Sequence, residues 1–160
     1  MFRELFVPAY DLAYRLLGTR EDAQDAASEA MARALADWKR VSTLPHLRPW
    51  VLRVTSNVAI DMVRRRRATP DGDRVGGALA SAATDGDTEE RIVLNGVLAR
   101  LPRRQLEVVI LRYLADLSEE DVATSLGISP GSVKTHASRG LAALRRRMST
   151  YDGKETVLAY

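Results

Sequence analysis

Residues 130–147 carry side chains that could read DNA, at a spacing that would place them on one face of a helix. The stretch is PGSVKTHASRGLAALRRR. At about 100° per residue, the inner side of this helix is apolar: Val133, Ala137, Leu141, Leu144 and Met148. The outer side and its edge carry hydroxyl-bearing, small or cationic residues: Lys134, Thr135, Ser138, Arg139, Ala142, Arg145 and Arg146. Small side chains allow close approach to base edges, and arginine reaches guanine or phosphate, so this face indicates DNA recognition.

The residues before this helix predict the element that would position it. Ser118 precedes an acidic first turn, so its hydroxyl can cap a helix that ends at Gly127 in left-handed backbone. Ile128 can fill the corner, and the Ser129–Pro130 pair starts the second helix. Two capped helices joined by a glycine turn favour a helix-turn-helix. The alternative is a solvated amphipathic helix whose cations face water.

Composition limits the class of protein. The chain has 160 residues, 46% of them hydrophobic, which is enough for one ordinary domain or two small ones. It has no run of 18 apolar residues, and its N-terminus is amphipathic and carries acids, unlike a signal peptide. With no cysteines, disulfides, thiolate metal sites and cysteine nucleophiles are excluded. We expect a cytoplasmic protein with no membrane segment.

The charge is divided into three blocks. Residues 1–67 hold 12 basic and 8 acidic side chains, and residues 91–160 hold 11 and 7. Between them, residues 68–90 hold 1 and 6, together with four of the ten glycines. Basic blocks suit a polyanion, and the acidic segment is predicted to be a flexible linker. A disordered spacer without contacts is the alternative for this linker.

The first block is predicted to be helical throughout. A short helix over 9–17 should have Pro8 near its start, and Thr19 should cap a second helix whose buried face includes Leu35 and Trp38. A third helix starts near Pro49, and the residues that can face the core are Trp50, Val51, Val54, Val58 and Met62. Its end, Arg64–Arg67, is either a solvated helix terminus or a phosphate-binding patch. His46 and His136 are too far apart in the sequence, and too poorly accompanied by other suitable side chains, for us to propose a metal site or a catalytic base.

These elements predict an all-α fold of two small helical domains. The expected divisions are residues 1–67, the linker at 68–90, a helix-turn-helix domain at 91–148 and a tail at 149–160, in which we find no interpretable pattern. The motifs of nucleophilic, phosphate-binding and paired-carboxylate chemistry do not occur in the sequence. We therefore expect no enzyme activity, no cofactor and no metal.

The two blocks resemble a known family. EDAQDAASEAMARA at 21–34 and RPWVLRVTSNVAIDMVRRRR at 48–67 are similar to region 2 of bacterial sigma factors of the extracytoplasmic-function type. Residues 101–145, which include LSEEDVATSLGISPGSVKTHASRG, are similar to region 4 of the same factors. The chain departs from the family pattern at Gln24 and Ser28, and at Thr135, His136 and Ser138 in the recognition helix. The resemblance implies an altered polymerase-binding surface and an unusual promoter preference.

The resemblance also assigns roles to residues. For the −35 element it implies Ser132, Lys134, Thr135, Ser138, Arg139 and Arg146. For the −10 element, where an unpaired base is captured, it implies Trp50, Arg53, Asn57, Arg64, Arg65, Arg66 and Arg67. For core polymerase it implies Asp25, Ser28, Glu29 and Arg33. Apart from the resemblance, Trp50 is expected to be a core residue rather than a stacking platform.

The function implied is that of an RNA polymerase sigma factor, which binds core polymerase, recognises both promoter elements and promotes melting. The partners implied are promoter DNA and the clamp coiled coil and flap of the polymerase. Many relatives also have an anti-sigma factor. The acidic linker would thread the cationic channel of the polymerase. Two alternatives stay open: a LuxR-type helix-turn-helix regulator, and a sigma-like decoy that binds polymerase without starting transcription.

Overall fold

The computed structural model describes residues 1–68 and 89–158, and all regular structure within them is helical. The first half has α1 (Phe2–Leu17), α2 (Arg20–Ala36), α3 (Trp38–Val41) and α4 (Leu47–Ala68). The second half has α5 (Glu89–Leu98), α6 (Arg103–Val109), α7 (Glu119–Leu126) and α8 (Pro130–Leu158), and α6 continues into a π-helical turn at Ile110–Leu114. The all-α prediction is confirmed. The predicted linker lies almost wholly outside the described residues.

Helix α1 is longer than the sequence indicated, and Pro8 lies inside it. The prediction that Pro8 sits near the helix start was wrong. Proline removes the hydrogen bond to the carbonyl of Glu4, but Glu4 lies in the exposed first turn, where water can satisfy that carbonyl. Four aromatic side chains at spacings of four residues stack along the helix and support it: Phe2, Phe6, Tyr10 and Tyr14.

Helix α2 buries a stripe of small residues: Ala23, Ala26, Ala27, Ala30, Met31 and Ala34. The hydroxyl oxygen of Thr19 accepts from the Asp22 backbone N–H at 3.2 Å, so the predicted N-cap is confirmed. Leu35 was predicted on the buried face but is 61% exposed. Leu35 lies inside α2 but is rotated about 100° from buried Ala34, at the edge of the stripe. Trp38 lies beyond the end of α2 at Ala36, in α3, and is half-buried.

Helix α4 is the centre of the molecule. It contacts α1 and α2 of the first half, and α6, the π-helical turn and α7 of the second half. Its predicted core positions Val51 and Val58 are buried, and Trp50, Val54 and Met62 are half-buried. Further residues outside the predicted stripe are buried as well: Leu52, Thr55, Ser56, Ala59 and Ile60. A one-sided amphipathic pattern underestimates burial for a helix that is packed from several directions.

The helix-turn-helix is formed by α7 and α8 as the sequence indicated. The Ser118 hydroxyl accepts from the Asp121 backbone N–H at 3.1 Å, and Gly127 has a φ of 65°. The Ser129 hydroxyl in turn accepts from the Ser132 backbone N–H at 3.1 Å and caps α8. Helix α8 continues to Leu158, through most of the segment predicted to be a tail. The inner face of α8 is apolar as expected, with Val133 fully buried.

The two halves share one apolar cluster. Leu16 and Leu52 of the first half belong to the same continuous set of buried residues as Leu98, Leu111 and Leu144 of the second half. Polar contacts tie the halves further, since Arg15 donates to the Leu114 carbonyl at 2.8 Å and the Asn95 side-chain amide donates to the Leu16 carbonyl. The domain boundaries remain a prediction, but the described halves pack against each other.

Gly140 lies where α8 packs tightly against α6. A Cβ at this position would lie 2.6 Å from a methyl of Val109. Valine is stiff at χ1, so Gly140→Ala should force a backbone shift and lower the free energy of unfolding by about 1–3 kcal/mol. Gly131→Ala, on the same helix, would meet only the Ser129 hydroxyl at 3.9 Å and should be neutral or slightly stabilising. Urea unfolding followed by circular dichroism measures both, and equal stability of the two variants would contradict the assigned contact.

Candidate nucleic-acid interface

The outer face of α8 is free to meet a ligand. Lys134, Thr135, Ser138, Arg139 and Arg146 are all exposed, as predicted for the base-reading set. The Arg139 side chain has no ion-pair or hydrogen-bond partner within residues 1–68 and 89–158, so its five donors are available. Thr135 donates its hydroxyl to the Gly131 carbonyl at 3.1 Å, which leaves its oxygen lone pairs as acceptors. This face can present both donors and acceptors to base edges.

Ser132 differs from the rest of the predicted set. It is half-buried, and its hydroxyl hydrogen-bonds that of Ser129 at 2.9 Å. It therefore belongs to the turn that caps α8, at the edge of the outer face.

A cationic cleft of about 300 Å³ flanks the same face of α8. Lys134 and Arg145 line it together with Arg112 and Tyr113, two residues that the sequence analysis did not single out. Glu119 lies 3.7 Å from the Lys134 ammonium and partly balances the charge. Arg112, within the π-helical turn, donates to the Leu117 carbonyl at 2.6 Å, which fixes the position of its side chain. The cleft has the charge that a backbone phosphate needs.

The predicted −10 residues lie on α4. Trp50, Arg53 and Asn57 are all half-buried. Trp50 and Arg53 line a cleft of about 320 Å³ whose opposite wall is the C-terminal end of α7 and its glycine turn, residues 124–127. Arg53 donates to the Ser125 carbonyl across this cleft at 2.9 Å. The structure therefore brings Trp50 and Arg53 together, and against the helix-turn-helix.

The arginine run at the end of α4 does not form a uniform cationic patch. Arg65 is exposed and donates to the Asp61 carbonyl at 3.3 Å. Arg64 donates to the Ala99 carbonyl at 3.5 Å, and Arg66 forms an ion pair with Asp22 at 2.7 Å. The side chain of Arg67 lies outside the described part of the chain. Among the described members of the run, Arg65 is the most accessible to phosphate.

The Asp22–Arg66 pair links the start of α2 to the end of α4. Burial raises the pKa of Asp22, but hydrogen bonds from Arg66 and Thr19 and the charge of Arg66 outweigh it, so the pKa lies below its usual value of 3.8. A depressed carboxyl pKa stabilises the fold at pH values above the unfolded pKa, and this stabilisation is lost as the pH falls through the folded pKa.

We therefore expect Asp22→Asn to lower the free energy of unfolding by about 1 kcal/mol at pH 7. The difference from the parent protein should shrink as the pH falls below the unfolded pKa and disappear once the pH is below the lower folded pKa, because the carboxyl is then protonated in both states. Urea unfolding at several pH values measures this difference in the free energy of unfolding. Glu21→Gln, a change at an exposed neighbour in the same helical turn, is the control and should show a smaller effect. A pH-independent loss in Asp22→Asn would contradict the ion pair.

The residues predicted to bind polymerase are exposed on α2: Asp25, Ser28, Glu29 and Arg33. Glu29 and Arg33 form an ion pair at 2.9 Å along the helix. An open groove of about 620 Å³ runs between α2 and α4 here, and Asp61, Met62 and Arg65 supply its second wall. The sequence did not indicate that these α4 residues lie beside the predicted polymerase-binding residues, because their proximity to α2 depends on how the two helices pack.

The structure offers little for metal chemistry. Within residues 1–68 and 89–158, no group of three or more His, Cys, Asp and Glu side chains could hold a metal ion. None of the helices described is both long and apolar enough to cross a membrane. The sequence indicated no partner for His46, but in the structure its Nδ1 lies 3.3 Å from a carboxylate oxygen of Asp121.

Comparisons with known proteins cover both halves. Residues 1–69 match the family model for sigma-70 region 2, and residues 92–144 match that for sigma-70 region 4. The sigma factor SigW of Bacillus subtilis, an extracytoplasmic-function RNA polymerase sigma factor, is 30% identical over 158 residues, covering 87% of this chain and 82% of SigW. The RNA polymerase sigma-E factor of Streptomyces coelicolor is 32% identical over 143 residues, covering 88% of this chain and 79% of the relative.

A solved structure shows the same fold. The sigma factor RpoE from Bartonella quintana, in complex with the anti-sigma factor NepR, matches with a TM-score of 0.58 and 19% identity. The match covers 91% of this chain and 92% of RpoE.

An exposed recognition helix, a helical region 2 and these matches define a class of protein: a DNA-binding transcription initiation factor. The chain belongs to the sigma-70 family of RNA polymerase sigma factors, in its extracytoplasmic-function group. The resemblance of the sequence to extracytoplasmic-function sigma factors is thereby confirmed. The match of residues 1–69 to region 2 disfavours the LuxR-type alternative, which would need a sensor or receiver there.

Proposed function

We propose that this chain is a working sigma factor that engages promoter and polymerase through separate surfaces. The observation that carries the proposal is that the outer face of α8 and the polar face of α2 are both exposed. The chain can therefore hold the −35 element with α8 while α2 binds polymerase. It performs no bond chemistry itself, because the polymerase joins nucleotides with its own magnesium. Its place of action is the cytoplasm, where bacterial polymerase works.

For the −35 element, Lys134, Thr135, Ser138 and Arg139 contact base edges or adjacent phosphates. Ser132 and Arg146 lie at the two ends of this contact. Arginine and lysine bind guanine or phosphate, and the hydroxyls adapt to either donors or acceptors. The cleft beside Lys134 supports the assignment because it offers further positive charge to the DNA backbone.

For the −10 element, Trp50, Arg53 and Asn57 receive an unpaired base, and the arginine run holds the backbone. Unstacking a base costs a few kcal/mol, and capture in a pocket offsets this cost. The three side chains lie on successive turns of α4, which is consistent with a single strand crossing the helix. Accessible Arg65 supports a phosphate contact at the end of α4.

For core polymerase, Asp25, Ser28, Glu29 and Arg33 form the docking surface, and the α2–α4 groove extends it. The polymerase groups proposed to meet the chain are the clamp coiled coil and the flap. The acidic segment 68–90 would pass through the cationic channel of the enzyme. Since the related RpoE was solved with an anti-sigma factor, we propose a protein of that kind as a further partner of this chain.

The test is transcription in vitro with purified bacterial core polymerase, with and without this protein, on fragmented genomic DNA. A working sigma factor gives new transcripts from sites that share two spaced elements, and their sequences reveal the promoter. Co-elution with core polymerase but no transcripts would identify a decoy. If neither activity is found, the proposal is wrong and a stand-alone DNA-binding protein takes its place.

A further inference from the structure

The cationic cleft beside α8 has one acid among the described residues that line it, Glu119. Its cations are Arg112, Lys134 and Arg145. The Glu119 carboxylate lies 3.7 Å from the Lys134 ammonium. Arg112 is held by its hydrogen bond to the Leu117 carbonyl, so Lys134 is the cation of the cleft that Glu119 restrains.

The two members of this ion pair differ in freedom. The Lys134 side chain is 72% exposed, whereas that of Glu119 is 31% exposed. Glu119 lies in the first turn of α7, where the helix dipole favours a negative charge and the Ser118 hydroxyl caps the helix. Val122 is fully buried and holds α7 against the core. The carboxylate is therefore the fixed partner, and the lysine on its flexible four-carbon stem is the mobile one.

Lys134 lies near the start of α8, from which it can reach either a base edge or a phosphate. A lysine that binds guanine reads sequence, whereas a lysine that binds phosphate does not. We propose that Glu119 is a positioning residue that raises the sequence specificity of α8, because its carboxylate keeps the Lys134 ammonium from binding the phosphates of DNA in general. This inference rests on the proposed function of α8 at the −35 element.

The charges of the two DNA groups explain how one carboxylate discriminates between them. The edge of a guanine is neutral, and an ammonium has three donors, so Lys134 can donate to guanine and keep its contact with Glu119. A phosphate carries a negative charge that the carboxylate repels, so the same lysine binds phosphate less well while Glu119 lies beside it. Since phosphates occur in every DNA sequence, the carboxylate lowers non-specific binding more than promoter binding.

The experiment measures DNA binding by the full chain over a range of salt concentrations, by fluorescence anisotropy. One probe is a duplex of randomised sequence, and the other is a duplex with the −35 element that transcription in vitro identifies. The variants are Glu119→Gln, which removes the charge and keeps the shape, Lys134→Gln, and the two changes together. Glu120→Gln is the matched control, because it removes the same charge from an exposed position in the same helical turn. Circular dichroism establishes that each variant is folded.

We expect Glu119→Gln to bind the randomised duplex about two- to fivefold more tightly than Glu120→Gln does, and to bind the −35 duplex with about the affinity of this control. The magnitude of the salt slope on the randomised duplex should rise by up to about 0.9, because Lys134 then neutralises one further phosphate. In the Lys134→Gln background, Glu119→Gln should leave this slope unchanged, since the carboxylate acts through the lysine.

Equal effects of Glu119→Gln and Glu120→Gln on the randomised duplex would overturn the proposal, because net charge alone would then account for them. A change in the salt slope that persists without Lys134 would also overturn it, because the carboxylate would then act on the DNA directly. Failure of the proposed function is a separate result. The salt slope on the randomised duplex requires no promoter, so it decides the role of Glu119 even for a chain that never directs transcription.

Discussion

Arg139→Ala is expected to weaken binding of the polymerase complex to its own promoter by about 1–3 kcal/mol and to relax specificity at one position of the −35 element. The reason is geometric. Arg139 is exposed on the outer face of α8, has no partner within the described residues, and lies one turn from Thr135. A bidentate contact with guanine from such a position discriminates against the other three bases.

The measurement is a binding series with promoter fragments that carry all four base pairs at each −35 position, once transcription has identified the promoter. Arg147→Ala is the matched control, because Arg147 is an exposed arginine of the same helix and is rotated about 80° from Arg139. The control should weaken all fragments slightly and equally. If Arg139→Ala does the same, Arg139 contacts a phosphate and the base-reading role is wrong.

Replacing Arg64, Arg65 and Arg67 with alanine is expected to reduce open-complex formation about tenfold or more and to flatten its salt dependence. Each phosphate contact that is lost removes about 0.7–0.9 from the slope of the logarithm of the binding constant against the logarithm of salt concentration. The loss of three such contacts should therefore lower the magnitude of this slope by about 2–3. Arg66 is retained because it is paired with Asp22, and its loss would mix a stability effect with a DNA effect.

The control for this variant is Arg66→Ala alone. It should lower the free energy of unfolding as Asp22→Asn does, with a smaller change in salt slope. As single substitutions, Arg65→Ala should reduce open-complex formation more than Arg64→Ala does, because Arg64 already donates to the Ala99 carbonyl. An unchanged salt slope in the triple variant would show that the run is a solvated helix end, which is the alternative that the sequence left open.

Local sequence signals were sufficient for the helix-turn-helix and for the starts of α2 and α7. The hydroxyls of Thr19 and Ser118 cap the helices that follow them, and Gly127 adopts the left-handed backbone expected of it. The outer face of α8 is exposed where the period placed it. These features depend on residues within one or two helical turns of each other, so the order of residues along the chain determines them directly.

The tertiary structure decided which helix faces are covered and which charges are paired. Burial of Ile60, exposure of Leu35, the Asp22–Arg66 pair and the meeting of Arg53 with α7 each depend on how helices distant in sequence pack together. A period of 3.6 residues describes one helix against one surface, whereas α4 contacts several helices at once. The sequence alone therefore determined the helix-turn-helix and the residues that could contact DNA, and only packing decided that part of this set is covered by the protein itself.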